Sequence, residues 1–133
     1  YDNVKYFGAF KNPDDLPSIY HKIDILVASY DIQSLNERIA EPNKLYESLY
    51  FKKPIIVSKN TFLADRVKDL GCGFDIDASK DENIISFIEK LSTEKLAEIK
   101  SSISKISMNE IIDDNSAKIL SYLEHRIKWI KFP

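Results

Sequence analysis

Residues 41–58 read EPNKLYESLYFKKPIIVS, a helical pattern followed by a short apolar run. Leu45 and Leu49 lie four residues apart on one helix face, and Pro42 suits the first helical position because no hydrogen bond is lost there. The run 54–58 is continuous and rich in β-branched residues, which is typical of a strand buried on both faces. The stretch therefore predicts a helix from Pro42 followed by a buried strand. The side chains expected to point inward from the helix are Leu45, Tyr46, Leu49 and Tyr50.

The same alternation of apolar runs and helical patterns continues on both sides of this stretch. Further strands are expected at Val4–Gly8, Ile25–Ser29 and Phe74–Ile76, and Ile25–Ser29 also has the character of a doubly buried strand. A polar connection without a clean period occupies residues 30–40. One helix is expected from a cap at Asn12 or Asp14 through Ile19, Tyr20 and Ile23. Another is expected from a cap at Thr61 through Leu63, Val67 and Leu70 to a stop at Gly71. The chain from Asp81 onward is expected to be helical over Ile84, Ile85 and Ile88, then Leu96–Ile106, then Ile112–Ile130.

Strands alternating with helices predict an α/β fold with a Rossmann-like parallel sheet flanked by helices and a helical C-terminal tail. Open parallel sheets bind ligands beyond the carboxyl ends of their strands. The loops after Gly8, Ser29 and Ser58 are therefore the first places to expect chemistry.

Composition excludes several classes of protein. Among 133 residues, 19 basic and 21 acidic side chains give a net charge of −2, which is unlike the basic excess of nucleic-acid binders. Cys72 is the only cysteine, so no intramolecular disulfide can form, and a reducing, cytoplasmic location is expected. No apolar run approaches the roughly 20 residues of a membrane-spanning helix. Because the first residues already have strand character, the chain is expected to be part of a longer protein.

The helix after Pro42 is the best candidate for a binding site. Asn43 and Lys44 lie in its first turn, where free backbone N–H groups favour an anion. One turn later Glu47 can accept hydrogen bonds from ligand hydroxyls. An anion site followed by a hydroxyl acceptor would suit a nucleotide. The ordinary interpretation of Lys44 and Glu47 is a solvated surface ion pair. The face expected to meet the ligand comprises Lys44, Glu47, Ser48 and Phe51.

The ordered combination of residues in this region resembles GT-B fold glycosyltransferases of the family-four, group-one type. The residues that carry the resemblance are Pro42, Lys44, Glu47, Lys53, Pro54, Ile55 and Ile56. The flanks Asn3-Val4-x-x-Phe7-Gly8, Leu16-Pro17-x-x-Tyr20, Ile23–Val27 and Gly71-x-Gly73-Phe74 agree, so the resemblance covers residues 3–92. The sequence departs from the pattern at Ile39, where a second glutamate is common, and at Lys53, where a glycine is usual; Lys53 predicts a turn that does not need a positive φ.

The resemblance implies the C-terminal, donor-binding half of a GT-B enzyme, with residues 1–92 as a Rossmann-like domain incomplete at its N-terminal side. Residues 93–133 would be helices packing on that domain, the last of which would cross to an N-terminal domain. Such an enzyme moves a sugar from a nucleoside diphosphate sugar to a glycan or lipid-linked acceptor, with retention, without a metal or other cofactor, in the cytoplasm or at the inner face of the membrane. The full-length enzyme would be a hexosyltransferase of polysaccharide biosynthesis, and this chain alone is expected to bind nucleotide weakly without turnover.

By the same resemblance, Glu47 would hold the donor ribose and the turn Asn43–Leu45, with Lys44, would hold the diphosphate. The loop after Gly8, which contains Phe10, would meet the base through backbone groups, and Glu41 would lie near the donor. No catalytic residue is assigned. The alternatives are a GT-B sugar-nucleotide epimerase and a non-enzymatic flavodoxin-like or receiver-like module. Against a receiver, Val4–Gly8 ends in glycine and Ile25–Ser29 in serine, where acidic residues would be needed.

Four other single residues and one segment have ordinary interpretations that outweigh a functional one. His21 and His125 are expected to be partly exposed without a special role. Cys72 is expected to be a small turn residue, and Asp31 to form an Asx turn. Residues 125–132, HRIKWIKF, interleave basic and apolar residues as a membrane-surface helix does, but a packed helix with snorkelling lysines is favoured.

Overall fold

Three short apolar runs pair into a parallel sheet in the computed structural model, which describes residues 2–30, 32–112 and 114–127. The strands within these residues are β1 (Leu26–Ala28), β2 (Ile55–Ser58) and β3 (Gly73–Ile76), in the order β1-β2-β3. Every residue of β2 is buried, as expected for the central strand. The predicted α/β class, with a Rossmann-like parallel sheet flanked by helices, is confirmed.

Eight helices surround or follow the sheet in the part of the chain that the structure describes. They are α1 (Leu16–His21), α2 (Leu35–Ile39), α3 (Asn43–Tyr50), α4 (Phe62–Leu70), α5 (Asp81–Lys90), α6 (Thr93–Ile103), α7 (Met108–Ile111) and α8 (Ser116–Ile127).

The hydrophobic core lies on one face of the sheet. Ile55 and Val57 point from β2 into a cluster formed with α3, α4 and α6. The fully or nearly buried members of this cluster are Ala28, Leu45, Leu49, Ile55, Val57, Leu63, Ala64, Val67, Cys72 and Ile103. Since α3 packs through Leu45 and Leu49, its opposite side is left for other contacts.

A tight turn joins α3 to β2 and sets the direction in which the helix points. The Lys53 N–H donates to the Ser48 carbonyl at 2.8 Å and the Lys52 N–H to the Leu49 carbonyl at 3.2 Å. This is the Schellman arrangement, which requires a left-handed residue after the C-cap. That residue is Lys52, with φ of 54°. Lys53 has no positive φ, as predicted, but the turn needs one at the preceding residue.

The predicted signals at both ends of α4 are confirmed. The Thr61 hydroxyl accepts a hydrogen bond from the Ala64 N–H at 3.0 Å, as an N-cap side chain does. Gly71 ends the helix in the left-handed region with φ of 59°. The chain then enters β3 directly.

The prediction of a strand at Val4–Gly8 is wrong. Residues 4–10 adopt no regular secondary structure, and Val4, Tyr6 and Phe7 are largely exposed. A β-rich run becomes a strand only when its backbone groups find a partner, and none of the described strands pairs with it. Gly8 also interrupts the extended course with φ of 79°.

The prediction that Ile25–Ser29 is buried on both faces is also wrong. The strand is shorter, and Val27 is 62% exposed. In the register of the sheet, Val27 pairs with Ile56, so it lies on the face opposite the core. β1 is an edge strand of the described sheet, and one of its faces is therefore open.

Several predicted helix boundaries and orientations are corrected by the structure. The first helix has Asp15 rather than Asn12 or Asp14 at its N-cap and ends at His21, so Ile23 lies beyond it. The connection over residues 30–40 contains α2, and Pro42 is the N-cap of α3 rather than its first residue. Tyr50 is half exposed rather than turned inward. Ser48 is buried, and its hydroxyl is satisfied by donating to the Leu45 carbonyl. The helix expected to begin at Ile112 begins instead at Ser116, as α8, and Ile112 follows the end of the short helix α7. The expected continuation to Ile130 lies outside the described residues.

The C-terminal helices differ in their contacts. Ile103 of α6 enters the core, and α7 contacts α3. In α8, by contrast, every side chain from Ser116 to Arg126 is exposed. The packing expected of the last helix is therefore absent from these residues.

Candidate functional site

Glu47 is held by two hydrogen bonds that converge on one of its carboxylate oxygens. The Tyr20 hydroxyl donates to Glu47 Oε2 at 2.6 Å, and the Lys44 ammonium donates to the same oxygen at 2.8 Å. The Glu47 side chain is only 15% exposed. Because both bonds end on Oε2, the other oxygen, Oε1, takes no part in either of them.

The Tyr20 side chain is fixed by packing as well as by its hydrogen bond. It is 2% exposed, and its ring stacks on Phe51 with centroids 4.5 Å apart and planes 11° from parallel. Phe51 follows the last residue of α3, one turn beyond Glu47. The contact therefore fastens α1 to α3 and leaves the Tyr20 hydroxyl a single direction, toward the carboxylate.

The surroundings of Glu47 favour its ionised form. Partial burial raises the pKa of the carboxyl, but the hydrogen bonds from Lys44 and Tyr20 and the charge of Lys44 outweigh it and leave the pKa below its ordinary value. For Tyr20, burial is the main cause of a raised pKa, and the neighbouring carboxylate adds to it. At neutral pH the pair is therefore a neutral phenol donating to a carboxylate. Such an acceptor can bind a ligand hydroxyl.

The first turn of α3 provides fewer free donors than the sequence predicted. The Leu45 N–H already donates to the Pro42 carbonyl at 3.0 Å, and the Leu45 side chain is fully buried. Asn43 is exposed at the first helical position, and the Lys44 ammonium is bound to Glu47. The backbone donors that remain for an anion at this turn are those of Asn43 and Lys44.

The loop after Gly8 approaches this helix at one point. The Lys44 ammonium lies 5.9 Å from the centre of the Phe10 ring, at the outer limit of a cation–π contact. Phe10 is half exposed, and Gly8 has no neighbour within contact distance of an added Cβ. The structure thus brings Phe10, Lys44, Glu47 and Tyr20 into one chain of contacts, while Gly8 itself stands apart in solvent.

Glu41 has a different set of partners from Glu47. Its Oε1 accepts hydrogen bonds from Arg66 Nε at 3.0 Å and from the Tyr46 hydroxyl at 3.1 Å. Burial and this carboxylate together raise the pKa of Tyr46. These contacts connect Glu41, two residues before α3, to Arg66 of α4 and to Tyr46 of α3, so the carboxylate of Glu41 helps to hold the start of α3 in place.

Glu47 opens onto a groove of about 380 Å³ between α1, α3 and α7. The groove has a largely apolar wall beside the carboxylate. The residues that line it are Pro13, Leu16, Pro17, Tyr46, Glu47, Tyr50, Phe51, Ile111 and Ile112. A ligand that reaches Glu47 from this side would meet aromatic edges and one charged acceptor.

The carboxyl ends of the three strands form a second, more polar cleft of about 560 Å³. Ser58 anchors it, since its hydroxyl lies 2.8 Å from the Ser29 hydroxyl and accepts from the Tyr30 N–H at 2.9 Å. The predicted loops after Ser29 and Ser58 therefore meet at one place. Neither Glu47 nor Lys44 lines this cleft, so the two regions named by the sequence are separate.

Tyr20 is the functional neighbour that sequence reasoning missed. It was expected only as a core position of the first helix. The signal available was a tyrosine, rather than a purely apolar residue, on the buried side of a helix, because a buried phenol usually needs a hydrogen-bond partner. Nothing in the sequence identified that partner, which lies 27 positions away.

The remaining single-residue expectations have mixed outcomes. His21 and His125 are exposed. Cys72 is fully buried in the core, and burial raises the pKa of its thiol to about 11. Asp31 lies outside the described residues.

Across residues 2–30, 32–112 and 114–127, no three His, Cys, Asp or Glu side chains come together as a metal-ligand group. No helix in these ranges is long and apolar enough to cross a membrane.

Comparison with known proteins identifies the family. The sequence model of the family described as Glycosyl transferases, group 1, matches residues 1–109. No curated protein and no solved structure matches the chain. The match includes the sheet, the Tyr20–Glu47 contact and the whole of α3 and α4, which agrees with the C-terminal domain of a GT-B enzyme. The chain belongs to the group 1 glycosyl transferases.

Proposed function

We propose that this chain is the donor-nucleotide-binding part of a glycosyltransferase that moves a sugar from a nucleoside diphosphate sugar to a glycan or lipid-linked acceptor. Membership of the family supports sugar transfer in general. The observation that carries the finer proposal is the carboxylate of Glu47, which the hydroxyl of Tyr20 and the ammonium of Lys44 keep ionised and oriented.

Glu47 would bind the ribose of the donor. A ribose presents two neighbouring hydroxyls, and an ionised carboxylate is the strongest acceptor that a side chain can offer them. With Oε2 already bonded twice, Oε1 is the oxygen proposed to take the ligand's hydrogen bonds. Ordering of the carboxylate before the ligand arrives lowers the entropy that binding must lose.

The start of α3 would bind the diphosphate. The N–H groups of Asn43 and Lys44 point out of the first turn, and the helix dipole favours a negative group there. Lys44 would have to divide its ammonium between Glu47 and a phosphate oxygen, which its flexible side chain allows. The exposed ring of Phe10 lies 5.9 Å from that ammonium, which supports the proposal that the loop after Gly8 meets the base.

A titration of the ¹⁵N-labelled chain with UDP, GDP and their sugars tests the donor site. Amide shifts are expected at Asn43, Lys44 and Glu47 and in the loop over residues 8–11. Glu47→Gln should weaken the binding of the preferred nucleotide about tenfold or more, because a hydrogen bond to a charged acceptor is worth about 1.5–3 kcal/mol.

The matched control is Glu98→Gln, which makes the same chemical change at an exposed position of α6. It should leave nucleotide affinity unchanged. An absence of shifts at Asn43–Glu47 at millimolar nucleotide would refute the donor site, as would equal losses for the two variants. In the full-length enzyme, the same Glu47 variant should mainly raise the donor KM.

A further inference from the structure

The polar cleft at the carboxyl ends of the strands has no part in the proposed donor site. Its volume of about 560 Å³ is within the range of small-molecule sites. Loops that follow all three strands line it, with Tyr30 after β1, Asn60 after β2 and Ser79 after β3 among the lining residues. A ligand in this cleft would therefore be contacted from several sides.

Hydrogen bonds fix the loops around the cleft. The buried Ser58 hydroxyl donates to the Tyr30 carbonyl at 2.7 Å and accepts from the Tyr30 N–H at 2.9 Å. The Lys59 N–H donates to the Ile76 carbonyl at 2.8 Å, which ties the end of β2 to the end of β3. Because the walls are ordered in this way, a ligand that binds between them loses less free energy to the ordering of loops.

The charges of the cleft favour a neutral ligand. Among the described residues that line it, Lys59 is the only cation and Asp77 the only anion. A phosphate attracted by the lysine would be repelled by the aspartate. A divalent cation would find one carboxylate, fewer oxygen ligands than it needs, and the described residues contain no group of three metal-ligating side chains.

The uncharged side chains suit a ligand that has both hydroxyls and an apolar face. Asn60 is exposed, and its amide can donate as well as accept hydrogen bonds. Asp77 Oδ1 accepts from the N–H and the hydroxyl of Ser79, so Oδ2 takes no part in these bonds. Tyr30 and Ile32 are 40% and 38% exposed and add aromatic and aliphatic surface to the same cleft. A sugar ring combines hydroxyls at its edge with C–H groups on its face, and such C–H groups favour the negative face of an aromatic ring.

We propose that this cleft binds a neutral sugar unit of a glycan, separately from the nucleotide. Tyr30 would contact the C–H face of the ring, and the Asn60 amide and Asp77 Oδ2 would bind its hydroxyls. The choice of a glycan rests on the proposed function, in which a glycan acceptor receives the transferred sugar, whereas the shape and charge of the cleft do not depend on it. Neither Glu47 nor Lys44 lines the cleft, so the two sites are testable apart.

Titration of the ¹⁵N-labelled chain with the methyl glycosides of glucose, galactose and N-acetylglucosamine tests the proposal. Amide shifts are expected at Lys59, Asn60 and Ser79 for at least one glycoside at up to about 100 mM, a concentration that reveals even weak binding. Glycerol, which has hydroxyls but no ring, should not shift these amides at the same concentration. An absence of cleft shifts with all three glycosides would overturn the proposal, as would equal shifts with glycerol.

UDP alone separates this proposal from the donor site. It should shift Asn43–Glu47 and leave the amides of the cleft unchanged. Cleft shifts that UDP causes by itself would overturn the proposal of a separate sugar site. Glycoside shifts in the cleft without UDP shifts at Asn43–Glu47 would refute the donor site and support the sugar site.

Two substitutions test the two kinds of contact. Asp77→Asn keeps an acceptor for the Ser79 N–H but removes the charge, and Tyr30→Leu keeps the backbone bonds to Ser58 but removes the ring. Each should reduce the cleft shifts severalfold at a fixed glycoside concentration. Asp69→Asn, at an exposed position of α4 outside the cleft, is the matched control and should change nothing. Undiminished shifts in both cleft variants, or an equal loss in Asp69→Asn, would overturn the proposal.

Discussion

The Tyr20 hydroxyl and the Glu47 carboxylate are joined at 2.6 Å although 27 positions separate them in the sequence. Tyr20 belongs to α1 and Glu47 to α3, and the stack of Tyr20 on Phe51 aligns the two helices around the bond. Because the phenol is buried, its hydroxyl is not hydrogen-bonded to bulk water, and it forms a short bond to a charged acceptor instead. The contact fixes both the fold at this point and the charge state of the proposed ribose acceptor.

Tyr20→Phe removes this bond while it keeps the stacked ring. The substitution should lower the free energy of unfolding by about 1.5–3 kcal/mol, the usual range for a hydrogen bond to a charged group. It should also raise the pKa of Glu47, since one of the donors that stabilise the carboxylate is lost. Denaturant unfolding and carboxyl NMR titration measure the two effects.

Tyr50→Phe is the control for that substitution. It removes a hydroxyl from the same region, but the Tyr50 side chain is half exposed and its hydroxyl is not bonded to Glu47. It should change neither quantity appreciably. A Glu47 pKa that stays the same in Tyr20→Phe would show that Lys44 alone accounts for the lowered value.

Glu47 should also make stability depend on pH in a particular window. Its pKa is lowered in the folded chain from an ordinary value of 4.5, so its contribution is complete above that value. The contribution is lost as the pH falls below 4.5 and through the folded-state pKa. The stability difference between the native chain and Glu47→Gln should therefore shrink on acidification.

Chemical unfolding at a series of pH values between neutrality and the acid range checks this. Glu98→Gln, on an exposed stretch of α6, should follow the pH dependence of the native chain closely. A difference in the free energy of unfolding between the native chain and Glu47→Gln that stays constant or grows toward acid pH would contradict the prediction.

Local spacing predicts the part of the site that lies on one helix. Lys44 and Glu47 are three residues apart, so their ion pair follows from helix geometry once α3 is recognised. Tyr20 could not be paired with Glu47 in the same way, because the sequence carries no information on how α1 crosses α3. The hydrogen bond from the Leu45 N–H to the Pro42 carbonyl could not be predicted either, since it depends on the backbone geometry of a single turn. This bond removes the Leu45 N–H from the donors that are free to bind an anion.

The strands show the same division between local and non-local information. β2 was predicted because its continuous apolar run suits a buried strand, and a brief strand was predicted at Phe74–Ile76, where β3 lies. The run Val4–Gly8 has as much strand character, yet it remains unpaired among the described residues. Pairing is a property of two segments, and propensity describes only one of them.

Lys52→Gly should stabilise the protein. Lys52 adopts φ of 54° at the end of α3, a conformation that costs a residue with a Cβ about 1 kcal/mol and costs glycine far less. The free energy of unfolding should therefore rise by up to about 1 kcal/mol in a denaturant titration. Lys53→Gly is the control: Lys53 has no positive φ, so the same change there should give no gain. A gain of equal size at both positions would contradict the assignment of strain to Lys52.

Gly73→Ala should be among the most damaging single-methyl additions to this chain. Gly73 pairs with Ile55 in the sheet, and a Cβ at position 73 would overlap the Ile55 carbonyl oxygen, which is backbone and cannot rotate away. The strands would have to separate, at a cost of about 2 kcal/mol or more. Gly71→Ala provides the comparison, because an added Cβ there meets nothing closer than the Ser102 Cβ at 3.9 Å. That variant should lose only about 1 kcal/mol, from the left-handed φ of 59°. If thermal or denaturant unfolding ranked Gly71→Ala as the more destabilised, the close approach of β2 and β3 at Gly73 would not be the stronger constraint.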